Sequence, residues 1–87
     1  MRAVSITIDT QVADGECWLF GAELSHTGDT SLIIYSEADS SVTASKKVIT
    51  LKTTDETQHV SIMFPHPMRV AGVYADWNAG LGTVYIG

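Results

Sequence analysis

Three observations predict an all-β fold, an antiparallel β-sandwich or jelly-roll-like barrel of about seven strands. Short runs rich in Val, Ile, Thr and aromatic residues alternate in polarity with period two, and polar turn formers separate them at near-regular spacing. No segment carries apolar residues at helical spacing over ten or more positions. Ala3 to Asp9 sets Val4, Ile6 and Ile8 against Ala3, Ser5 and Thr7, and Asp14-Gly15 supplies a turn that tolerates positive φ. Glu16 to Leu24 is apolar on both parities, with Trp18, Phe20 and Ala22 on one and Cys17, Leu19 and Gly21 on the other. Such a strand is expected to sit centrally or to face a partner, and Gly21 reads as a bulge or a close backbone approach.

Thr27-Gly28-Asp29 ends that strand, and Ser31 to Ser36 opens the next with a β-branched and aromatic core. Glu37 to Ser45 is polar, rich in turn formers and poor in helix formers, hence a surface loop. Lys47 to Thr53 is strand-like, Thr54 to Thr57 suits a hairpin connection, and His59 to Phe64 sets Val60, Ile62 and Phe64 against His59, Ser61 and Met63. Pro65 and Pro67 then remove two backbone donors in three residues, which excludes a central strand and is expected to turn a corner. Met68 to Trp77 is the next expected strand, Asn78-Ala79-Gly80 its turn, and Gly82 to Ile86 the last strand.

Eighty-seven residues form one domain, 1–87, because so short a chain cannot divide its core. Ten carboxylates against five bases give a formal charge of −5, which argues against direct nucleic-acid binding, since that needs a basic face. No 18 apolar residues run together and MRAVSITID lacks the apolar stretch of a signal peptide, so the chain is expected to avoid the membrane and to fold in a reducing cytoplasm. Cys17 stands alone, so no intrachain disulfide staples the fold. Homo-oligomerisation or docking onto a larger partner is the expected source of extra stability.

No residue pattern carries recognisable chemistry. His26, His59 and His66 lack the spacing of zinc ligands; His59 falls on the polar parity of its strand, and His66 lies between two prolines. Gly80-Leu81-Gly82 has no following helix to hold an anion and serves a turn. Asp14, Asp29, Asp39, Asp55 and Asp76 are scattered, as solvated turn residues are. A Ser-His-Asp triad would have to converge from distant strands, so an enzyme is not expected, nor a cofactor or metal. The aromatics Trp18, Phe20, Tyr35, Phe64, Tyr74, Trp77 and Tyr85 exceed what one small core needs unless some lie outside. Trp77, beside the Asn78 turn, is the expected exposed one, as a partner anchor or sugar platform; capping the open end of the sandwich is its alternative role. SLIIYS, VITL and VSIMF have the low charge of adhesive edge strands, which a partner is expected to cover.

WLFGAELSHTG, TSLIIYSEADSSV and VSIMFPHPMRVAGVYADWNAGLGTVYIG together resemble the small all-β virion proteins of tailed bacteriophages, over about four-fifths of the chain from Trp18 to Gly87. The features shared are F-P-x-P, R-V-x-G-V-Y and a closing G-T-V-Y-I-G. The resemblance implies a capsid decoration, or cement, protein that binds the major capsid protein or other virion subunits, sits on the capsid surface and is assembled in the host cytoplasm. It brings no catalytic residues with it. Longer members carry an N-terminal arm; none precedes Met1-Arg2 here, which favours a compact subunit over a fibre. The contact residues expected are Phe64, His66, Met68, Arg69 and Trp77, with Arg69 as the lone cation of the region available to a capsid carboxylate. The alternative is a tail or head accessory subunit that binds host glycans, stacking them on Trp77, Tyr74 or Tyr85 and hydrogen-bonding through Asp76 and Asn78.

Overall fold

The computed structural model describes residues 1–41 and 43–87; Val42, in the loop expected over Glu37 to Ser45, lies outside them. The strands in chain order are β1 (Arg2–Ile6), β2 (Thr10–Ala13), β3 (Cys17–Ser25), β4 (Thr30–Tyr35), β5 (Lys47–Thr53), β6 (His59–Val70), β7 (Val73–Trp77) and β8 (Leu81–Ile86), with one 3-10 turn over Ala44–Lys46. β1 pairs with β8, β2 with β7, β3 with β6 and β4 with β5, all antiparallel. Two further pairings, β3 with β8 and β4 with β7, join these ribbons into two four-stranded sheets, β1-β8-β3-β6 and β2-β7-β4-β5.

The alternation that predicts strands reappears as alternation of burial. Along β5, Ile49, Leu51 and Thr53 are buried between exposed Thr50 and Lys52. Leu19, Ala22 and Leu24 of the first sheet meet Leu32, Ile34, Val73 and Ala75 of the second in one apolar cluster, so the two sheets share a sandwich-like core. Buried hydroxyls are satisfied: Thr53 Oγ1 donates to the Gly28 carbonyl at 2.8 Å and Thr30 Oγ1 to the Ala79 carbonyl at 3.3 Å.

Eight strands form where seven are expected because β2 is added, and one boundary between two expected strands moves from Pro65-Pro67 to Ala71-Gly72. The strand expected over Ala3 to Asp9 stops at Ile6, which is fully buried, and the chain then crosses to the other sheet as β2. Ile8, expected to point inward, is 64% exposed in that crossing. β2 is held by a side chain as well as by its pairing with β7: Gln11 Nε2 lies 2.8, 3.0 and 3.1 Å from the carbonyls of Ala13, Glu37 and Val73. The strand expected over Met68 to Trp77 is divided between β6 and β7, because β6 continues to Val70 and the break falls at Ala71-Gly72. There a Cβ on Gly72 would lie 2.6 Å from the Glu37 carbonyl oxygen, so only glycine passes.

The expected corner at Pro65 and Pro67 is a bulge inside one long strand. Leu19 pairs with Met68 and Gly21 with Met63, which leaves Phe64 to Pro67 opposite Phe20 alone. Strand continues through the prolines because β6 is the last strand of its sheet, where a missing N–H costs no ladder bond. Gly21 makes the bulge possible, since a Cβ there would collide with the Ile62 carbonyl oxygen and lie 2.6 Å from Met63 Sδ.

Candidate interaction surface

β3 has its buried residues Leu19, Ala22 and Leu24 on the inner face, so Trp18, Phe20, Glu23 and Ser25 project from the outer face of the first sheet. Directly opposed residues on antiparallel strands share a face, which places Arg69, Ser61 and His59 of β6 beside Trp18, Glu23 and Ser25. The Arg69 guanidinium carbon lies 5.3 Å from the centre of the Trp18 ring, and its Nη2 bonds Glu16 Oε2 at 2.9 Å. Both partners of that ion pair are more than half exposed, so its contribution to stability is screened to about 0–1 kcal/mol. Its effect is to hold the guanidinium over the indole ring.

At the other end of this face, the Ser25 hydroxyl lies 2.6 Å from His59 Nδ1, His59 Nε2 lies 3.7 Å from Glu23 Oε2, and the Tyr85 hydroxyl donates to Glu23 Oε1 at 2.7 Å. The Glu23 hydrogen bond, then burial, then the Glu23 charge push the Tyr85 phenol above its ordinary value of 10.0. A hydroxyl beside an imidazole beside a carboxylate is the arrangement of a nucleophile and its base. The surroundings do not complete it: around the site, Ala22 to Ser25 of β3 are paired on both sides, so their amides are committed to the ladder and not to an oxyanion. The site is also a flat sheet surface, whereas an open groove of about 530 Å³ lies elsewhere, between Met1, Val12, Glu16, Cys17 and Gly87. Cys17 in that groove has its thiol pushed up by burial, partly offset by Arg69 and Arg2.

Of the residues expected to make contacts, Phe64, His66, Met68 and Arg69 lie together on β6. His66 is exposed at the bulge, Met68 is 39% exposed, and Phe64 packs partly against the core. Trp77 stands apart on β7 of the other sheet. It packs partly against the core, its indole N–H donates to the Gly80 carbonyl at 2.9 Å, and its backbone N–H donates to Asp9 Oδ1 at 2.8 Å. It therefore caps the end of the sandwich. The more exposed tryptophan is Trp18, at 42%. By alternation alone Trp18 shares a face with Ala22 and Leu24; the register shift between Leu19 and Gly21 reverses that parity, so Ala22 and Leu24 are buried with Leu19 while Trp18 and Phe20 face outward. Among the described residues, no group of three His, Cys, Asp or Glu side chains is placed to hold a metal ion.

No known family, curated protein or solved structure matches this chain.

Proposed function

We propose that this chain is a contact subunit of a bacteriophage virion, a capsid decoration protein that binds and stabilises the head shell through protein–protein contacts. The observation that carries the reading is where the large exposed apolar side chains lie. Among the described residues these are Met1, Ile8, Trp18, Ile62, Met63, Met68 and Leu81, and four of the seven belong to the adjacent strands β3 and β6. Trp18 lies on the outer face of this strand pair, Ile62 and Met68 stand opposite the inward Ala22 and Leu19 yet are exposed because β6 is an edge, and exposed apolar area gathered around one edge marks a place where another protein sits. Arg69, over Trp18 and paired with Glu16, adds an exposed guanidinium to this surface.

The pairing 1:8, 2:7, 3:6 and 4:5, with sheets 1-8-3-6 and 2-7-4-5, is read here as a jelly roll, the strand ribbon folded over on itself. Jelly rolls serve both as viral shell domains and as lectins, so the fold leaves the choice to the surface. The glycan-binding alternative relied on exposed Trp77, Tyr74 or Tyr85. The indole N–H of Trp77 is bonded to Gly80 and the Tyr85 hydroxyl to Glu23, which favours the protein-contact reading. In this reading the subunit binds the expanded shell in preference to the unexpanded one and so stabilises it.

The test is occupancy on shells by variants that fold normally. Trp18→Ala and Arg69→Ala are expected to lower the amount bound to shells lacking the protein by tenfold or more, about 1.4 kcal/mol of contact energy. Unchanged occupancy for both would remove the β3–β6 face from the proposal.

A further inference from the structure

Two sheets of four strands leave four edges, β1, β6, β2 and β5, and these are not equivalent. β5 carries exposed Lys47 and Lys52, a usual defence against edge-to-edge pairing. β1 and β2 are short, with five and four residues, and β2 is shifted in register against its only neighbour. β6 has 12 residues, and from His59 to Met68 it holds no Lys, Arg, Asp or Glu. In a chain of net charge −5, the stretch from Thr57 to Ala75 contains no carboxylate at all.

The backbone of β6 shows which of its groups are free. The Gln58 carbonyl accepts the His26 N–H, and the Ile62 carbonyl lies against Gly21, so residues 58, 60 and 62 turn their polar groups toward β3. Strand geometry then turns the N–H and C=O of His59, Ser61 and Met63 outward, away from the sheet. Pro65 and Pro67, in the bulge that follows, have no N–H to donate and end the open stretch on its C-terminal side. At its N-terminal side the chain turns away at Gln58, whose side chain bonds the Asp55 carbonyl at 3.3 Å.

We infer that this open stretch pairs with the same stretch of a second copy, antiparallel about a two-fold axis at Ser61, so that His59 opposes Met63 of the other copy. Three outward residues on each copy close about six hydrogen bonds. The pairing also covers Ile62 and Met63, which are 44% and 50% exposed. Two acidic copies approach here without bringing carboxylates together. The prolines fix the register by stopping a slide in one direction. The contact is smaller than the about 1,200 Å² of a stable specific interface, so the dimer is weak, with an expected Kd of about 10 µM to 1 mM.

Sedimentation velocity on the purified chain, from about 10 µM to 1 mM, tests this without any shell or other partner. The wild-type chain is expected to pass from monomer to dimer. Ser61→Pro, which removes an outward donor, and Met63→Lys, which charges the edge, should remain monomeric at the highest concentration. Ile8→Lys, a change at an exposed apolar residue elsewhere, should dimerise as the wild type does. As a second readout on the unmodified chain, amide hydrogen exchange of Ser61 and Met63 should slow with concentration while that of Thr50 does not. A monomer throughout the range, a dimer that survives both edge variants, or exchange at Ser61 and Met63 independent of concentration would each overturn the inference.

Discussion

Gly21→Ala is expected to be the most damaging single-methyl addition in this protein. A Cβ at that position overlaps the Ile62 carbonyl oxygen and lies 2.9 Å from Met63 Cα and 2.6 Å from Met63 Sδ. The sulfur ends a flexible side chain and can move aside. The oxygen and the Cα belong to a strand held to β3 by registered pairs on both sides of the bulge, so β6 must back away as a unit. Overpacking of this kind costs about 1–3 kcal/mol, and the involvement of backbone places this case at the upper end, about 2–3. Against a total stability of about 4–13 kcal/mol for a chain of this length, that is a large fraction. With about 4–8 °C per kcal/mol for so small a domain, Tm should fall by about 8–24 °C. Thermal and urea unfolding followed by far-UV circular dichroism measure both quantities. A Gly21→Ala protein within about 0.5 kcal/mol of wild type would refute the close-approach argument.

Leu32→Ala removes a fully buried side chain from between the two sheets and should cost about 2–5 kcal/mol in urea unfolding, whereas Ile8→Ala, at an exposed position, should cost under about 0.5. Tyr85 should titrate above its ordinary 10.0 by ultraviolet absorbance, and Glu23→Gln should bring it back toward that value. Because the folded-state pKa is raised, the stabilisation from the Tyr85–Glu23 bond is fully present below pH 10 and is lost as the pH rises through the folded value. Tyr85→Phe should therefore lose that part of the alkaline decline in stability. Cys17, with its thiol pushed up by burial, should react with a disulfide reagent at neutral pH more slowly than free cysteine.

The strands were legible where period-two alternation ran for five residues or more between turn formers, as in Lys47 to Thr53 and Ser31 to Ser36. β2 was not, because its four residues TQVA carry too little alternation and Gln11 adds contacts at residues distant in the chain. The prolines were read correctly as excluding a central strand. Whether they end a strand or bulge an edge depends on which strand has no outer neighbour, and that is a property of the sheet and not of the segment. The same holds for the proposed contact face. Phe64 to Arg69 was visible as one run, but the conjunction of Arg69 with Trp18, and of Ser25 with His59 and Glu23, exists only through the β3–β6 register. Trp77 looked exposed because it borders a turn; its bonds to Gly80 and Asp9 are made by chain segments that the local sequence does not reveal.

The central claim is that the chain works by docking on a virion shell. Its most direct test is to titrate the purified protein onto expanded and unexpanded shells that lack it and to measure copies bound per major shell subunit by sedimentation and gel densitometry. Saturable binding at a fixed stoichiometry, with preference for expanded shells, is the predicted result. An absence of binding to either shell would contradict it.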